Sequence, residues 1–219
     1  MKMTKAGKSR FIVVLAAFVF VLVGCGGTNG TSSTQTPNTI PTPTSTQASA
    51  VSTEQPVPTV SVDQVSSSDI PDTQVFVAYT SSSGKYQLKV PEGWAQTTNG
   101  ADVSFVSNLD SLQVTLTNAY TQPTASSVRN DQTVNLQQTG RAIRGIQVKD
   151  VQLPSGPAVI ITYTSNSDPN PVTNKQVRLE NDRYLFFKNG HLAILTLSAP
   201  VGADNVDQWT LIAHSFKWM

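Results

Sequence analysis

From Gly26 to Thr73 the chain carries no aromatic residue, and it is built largely of Ser, Thr, Pro, Gln, Asn and Gly. Such a tract cannot bury enough apolar surface to offset the entropy of ordering it. Folding is therefore confined to the remaining stretch, from about Gln74 to Met219, which suits one domain. The tract itself reads as a disordered spacer. Pro37, Pro41, Pro43, Pro56 and Pro58 extend it, and as a flexible coil its reach is on the order of 40 Å. Making no native contacts, it should be removable without changing the domain's stability.

The residues ahead of the tract form a targeting pattern. Lys2, Lys5, Lys8 and Arg10 make a positive start, and Phe11 to Val23 is an uncharged apolar run. The run is short for a mature span, which needs ~20 residues to cross a core of ~30 Å. Leu22-Val23-Gly24-Cys25 closes it. Positive start, apolar core and small residue before the cut are features of a signal peptide. The ending resembles the lipobox of bacterial lipoproteins, which implies a signal peptide over residues 1–24 and a diacylglycerol on the Cys25 sulfur. Residues 25–73 are then lipidated cysteine plus stalk, and 74–219 the globular domain. A lipoprotein cysteine carries at least two acyl chains, enough for stable anchoring. The expected location is the extracytoplasmic face of a membrane, held through Cys25. That cysteine is the only one in the chain, so no intramolecular disulfide forms.

Residues 74–219 hold eleven basic and ten acidic side chains. No strong field exists there to gather nucleic acid. Tyr86, Leu88 and Val90 alternate with Lys85, Gln87 and Lys89, the pattern of a half-buried strand, and Pro91-Glu92-Gly93-Trp94 ends it. Val103 and Phe105 start a second alternating pair of runs, continued by Leu112, Val114 and Leu116 across a turn at Asn108–Asp110. The polar stretch Thr124–Thr139, with Gly140 behind it, reads as one exposed helix. Ile143–Leu153 and Ala158–Thr164 read as strands, the latter apolar on both faces and so central. Strand character returns over Lys175–Phe187. Asn189-Gly190 then sits between YLFF and LAILTL as a two-residue hairpin turn. Asp204 can cap a last helix that buries Val206, Trp209, Ile212 and Ala213, and Ser215–Trp218 closes as a short strand. The sum is an α+β domain, an antiparallel sheet of six or more strands flanked by helices.

Three stretches, in this order, are similar to the PsbP family in its broad sense: Gly84–Trp94 (GKYQLKVPEGW), Asn189–Pro200 (NGHLAILTLSAP) and Asp207–Trp218 (DQWTLIAHSFKW). They match that family's early strand with its Pro-x-Gly-Trp turn, its hairpin running to Ala-Pro, and its last helix with the following Ser-Phe. The resemblance implies an α/β/α sandwich. The best-known members are extrinsic subunits of photosystem II, and others are bacterial lipoproteins. No binding residue of the family has a matching motif to carry over.

Candidate chemistry is sparse. His191 follows the hairpin turn and His214 lies on the last helix, isolated from each other in sequence. With Cys25 lipidated, no zinc ligand set assembles. There is no Gly-x-Ser-x-Gly elbow and no phosphate loop around Ser83-Gly84-Lys85. Glu180-Asn181-Asp182 reads as a solvated bend, with a cation site as its alternative. Trp94, Trp209, Phe216 and Trp218 read as core. No catalytic, cofactor or metal residue is assigned. The expectation is a non-enzymatic binding or scaffold module contacting an unidentified envelope protein or cell-wall component. A photosystem II subunit and an envelope hydrolase are the alternatives.

Overall fold

The computed structural model describes residues 54–60 and 68–219. The signal peptide, Cys25 and most of the stalk assigned from sequence lie outside the described residues.

Among the described residues, ten strands form two antiparallel sheets. β1 (Phe76–Ser81), β2 (Tyr86–Pro91) and β10 (Lys217–Trp218) make a three-stranded sheet in the order β1-β2-β10. β3 (Ala95–Asn99), β4 (Asp102–Ser107), β5 (Asp110–Asn118), β6 (Arg144–Leu153), β7 (Gly156–Asn166), β8 (Arg178–Lys188) and β9 (His191–Pro200) make the second. Its order is β3-β4-β5-β9-β8-β7-β6. The interrupted helix is α1 (Ala125–Asn130) followed by α2 (Gln132–Thr139), and α3 spans Val206–Ser215.

The large sheet is covered on both faces, which makes its inner strands apolar on both sides. One face carries Val159, Ile161, Leu185, Leu192 and Ile194 against Ala125, Val128 and Leu136 of the helical segment. The other carries Phe105, Leu112, Val114, Phe186, Leu195 and Leu197 against Tyr86, Leu88, Trp209, Ile212 and Phe216 of the small sheet and α3. Phe216 is 1% exposed and stacks on Phe186 at a centroid distance of 4.0 Å. Tyr86 lies on its other neighbour side at 5.8 Å. This arrangement is the α/β/α sandwich expected from sequence.

Several local expectations hold. Asn189 and Gly190 both take positive φ, 50° and 82°, and Lys188 pairs with His191 across them. Glycine costs nothing in that conformation, and asparagine little. Others require correction. The single helix read over Thr124–Thr139 is interrupted at Asp131, which closes α1 and opens α2 while staying in the right-handed region at φ −109° and ψ −66°. Thr124 and Ser127 cap α1 reciprocally. Gly140 ends α2, but with φ −83° it does not use glycine's freedom. β7 lies one strand in from the edge, and β9 is the central strand. Asn205, not Asp204, is the N-cap of α3, and Val206 is 69% exposed rather than core. β3 is absent from the sequence reading.

The largest correction concerns the stalk boundary. Contacts of the domain reach back into residues assigned to a spacer ending at 73. Ser68 and Ile70 are buried. The Ile70 N–H donates to Asn205 Oδ1 at 2.6 Å, and Asn205 Nδ2 donates to the Ser68 carbonyl at 3.1 Å. Gln208 donates to Asp72 and the Asp204 N–H to Asp69. Further back, Glu54 forms a salt bridge with Arg141 at 3.1 Å. The composition argument fails here because a segment poor in apolar groups is held by side-chain amides of the domain.

Candidate functional site: an acidic cleft under the last helix

Alternate residues of a strand share a face. Thr162 and Thr164 of β7 and Glu180 and Asp182 of β8 therefore point together, and they are direct cross-strand partners, Thr162 with Asp182 and Thr164 with Glu180. This face is the one that meets α3. At its far end β9 stops at Pro200, the chain turns through Gly202 at φ 97°, and Ala203–Asn205 lead into the helix. A cleft of about 540 Å³ is left between that turn and the sheet. Its walls include Gly145, Asp204, Val206, Trp209 and Thr210. Trp209 is 8% exposed, mostly core while contributing to the cleft wall.

No lysine or arginine lines the cleft, and no salt bridge reaches Glu180 or Asp182 among the described residues. Burial pushes both carboxyls above their ordinary range, and the charge of Asp182 adds to the effect on Glu180. The Gly202 N–H donates to Glu180 and the Tyr184 hydroxyl to Asp182, which offsets part of that shift. Two half-buried carboxylates without a cation are favourably placed to receive one. An ammonium or guanidinium between them would gain from both charges.

The roof is held from below. Asn205 donates to Asp110 Oδ1 at 3.4 Å as well as to Ser68. Asp110 is 5% exposed, and burial, with a contribution from the Asp69 charge, pushes its carboxyl up to about 7. The segment before β1 thus braces the loop that forms the cleft.

Glu180-Asn181-Asp182, read as a solvated bend, lies within the first half of β8. Asn181 faces the opposite side of the sheet and is buried there. Its Nδ2 donates to Ser165 Oγ, and Ser198 Oγ donates to its Oδ1 at 2.6 Å. Among the described residues no group of three or more His, Cys, Asp or Glu is arranged to hold a metal ion. His191 lies at the opposite end of β9 from the cleft, beside Lys188 and Trp218, and His214 is exposed in the last turn of α3. Phe216 and Trp209 are core, and Trp94 and Trp218 pack half-buried against it. Thr162, Thr164 and Asn205 were not singled out from sequence. Thr162 and Thr164 alternate with Ile161 and Tyr163 along β7, but reading Glu180–Asp182 as a bend hid the partners they face.

No protein-family model matches the sequence, and no curated protein matches it. Among solved structures, the chain is similar to cyanobacterial PsbP (CyanoP) from Synechocystis sp. PCC 6803. The two are 19% identical and superpose with a TM-score of 0.50 over 69% of this chain and 98% of that one. A protein of Bacteroides thetaiotaomicron aligns at 9% identity and a TM-score of 0.43, over 65% of this chain and 48% of that one. The domain has the PsbP-like α+β fold.

Proposed function

We propose that the chain is a non-enzymatic binding module, carried on the outer face of a membrane by lipid on Cys25. Its cleft receives a basic side chain, lysine or arginine, of an envelope protein. The observation that carries this reading is the pair Glu180 and Asp182, side by side on the cleft floor without an ion-pair partner among the described residues. A cleft in which convergent polar groups have shifted pKa values beside an aromatic wall is a common form of binding site. The PsbP-like fold and the lipobox are compatible with it and do not specify the partner.

Photo-crosslinking in intact cells tests the proposal. A photoreactive residue at Thr210, on the exposed rim, should capture a reproducible envelope protein. Capture should fall at least five-fold when Glu180→Gln and Asp182→Asn are combined. Recovery of cell-wall fragments instead would reassign the occupant to an amine-bearing polymer. Equal capture by the double variant would remove the cleft from the function.

A further inference from the structure

We infer that the surface formed by Arg141, Asn166 and Gln176 is a recognition site for an extended peptide carrying a carboxylate, and that this chain's own Glu54–Val57 segment occupies it. Three side chains converge on one acid. Asn166 Nδ2 and Gln176 Nε2 each donate to Glu54 Oε1 at 2.8 Å, and Arg141 Nη2 meets Oε2 at 3.1 Å. This is the one salt bridge among the described residues.

Asn166 also reads the peptide backbone. Its Nδ2 donates to the Gln55 carbonyl at 2.8 Å, and its Oδ1 accepts from the Val57 N–H at 3.1 Å. A single amide thereby satisfies a carbonyl and the N–H two residues later, as a neighbouring strand would. The orientation of the amide is set by its surroundings. Val57 N–H and Arg178 Nη1 both donate and require the oxygen, while Glu54 and the Gln55 carbonyl require the nitrogen.

The receiving side is braced before any peptide arrives. Asn166 ends β7 and is 4% exposed. Its N–H donates to the Arg141 carbonyl at 2.9 Å, and Arg178 Nη1 holds its Oδ1 at 3.0 Å. Gln176 is oriented by a second bond from Nε2 to the Ser167 carbonyl at 2.9 Å. Groups fixed in their binding geometry lose little freedom on association. The two amides, and after them Arg141, hold the Glu54 carboxyl below its ordinary range. Asn205 repeats the device on the same segment, binding the Ser68 carbonyl and the Ile70 N–H. Two asparagines each bridging i and i+2, at residues 55–57 and 68–70, mark these two stretches as bound by the domain.

Hydrogen exchange on the full-length chain in detergent tests this. The Val57 amide should exchange slowly in the wild type and at least ten-fold faster in Glu54→Ala, with the domain's melting temperature shifted by no more than a few degrees. Asn166→Asp, which keeps the acceptor and loses the donor, should speed exchange as well. A synthetic peptide of residues 50–60, added to the Glu54→Ala protein, should bind at least ten-fold more tightly than the same peptide with Gln at position 54. Protection that is independent of protein concentration supports occupancy within one chain, and protection that rises with concentration overturns it in favour of a second copy. Unchanged exchange in Glu54→Ala, or equal binding of the two peptides, overturns recognition of the carboxylate.

Discussion

Asp110 combines deep burial, a carboxyl pushed up to about 7 and a neighbouring acid, Asp69, and it accepts a hydrogen bond from the Asn205 amide. A carboxyl with a folded pKa above its unfolded value binds its proton more tightly in the native state. It therefore contributes stability that is present below about pH 4 and lost as pH rises through about 7. Glu180 and Asp182 shift in the same direction, and Glu54 in the opposite one. The clean measurement is therefore the difference between wild type and Asp110→Asn in chemical denaturation. The variant should match wild type near pH 4 and exceed it at pH 8 by about 1–2 kcal/mol, allowing for partial screening. A constant difference across that range would show that Asp110 does not titrate on unfolding. At the cleft the same sign governs binding. Both raised carboxyls must ionise to hold a cation, so affinity for a lysine-bearing partner should strengthen as pH rises, and titration calorimetry at several pH values reads it. None of this was legible in sequence, where Asp110 was part of a turn and Glu180 and Asp182 part of a bend. Whether an acid is buried depends on what the rest of the chain lays over it.

At the scale of elements, α3 and β10 lock the two sheets together through Phe216, which stacks on Tyr86 from β2 and Phe186 from β8. Phe216→Ala should cost about 3–5 kcal/mol, from lost transfer energy and a cavity. A loss below 1 kcal/mol in urea denaturation would mean the site collapses freely. The β8–β9 hairpin was readable because its constraint is local: Asn189-Gly190 requires positive φ, whichever sheet it joins. β3 was not readable because every residue of Ala95–Asn99 is exposed, so no apolar alternation marks it. The break at Asp131 escaped for a related reason. Both halves of that segment bury a narrow face, α1 Ala125 and Val128, α2 Thr133 and Leu136, and the polar residue between them gives no periodic signal.

For the whole molecule, removing residues 26–73 should lower the melting temperature by about 5–10 °C, contrary to the spacer reading. Ile70 alone buries a side chain worth ~1.5–3 kcal/mol, and the amide contacts of Asn166 and Asn205 add to it. For a domain of this size each kcal/mol shifts melting by about 2–4 °C. An unchanged melting temperature in calorimetry would show that these contacts add nothing net. The anchor is tested separately. Cys25→Ser should take up no labelled fatty acid, because a hydroxyl is not the sulfur that the diacylglyceryl transferase uses; the uncut precursor keeps its apolar segment, or another peptidase releases a soluble form. Equal labelling would refute the lipobox reading.

Composition and periodicity by themselves determined the α+β class, most strands, the hairpin turn and the apolar faces, because a period-two pattern is a property of neighbouring residues. Where the domain begins and where its cleft lies were decided only in three dimensions. Glu54 meets Asn166 across 112 residues and Ile70 meets Asn205 across 135. A polar side chain does not name its partner. The same Ser/Thr/Pro-rich segment that cannot build a core can still be bound by one, once tertiary folding brings two buried asparagine amides to its backbone.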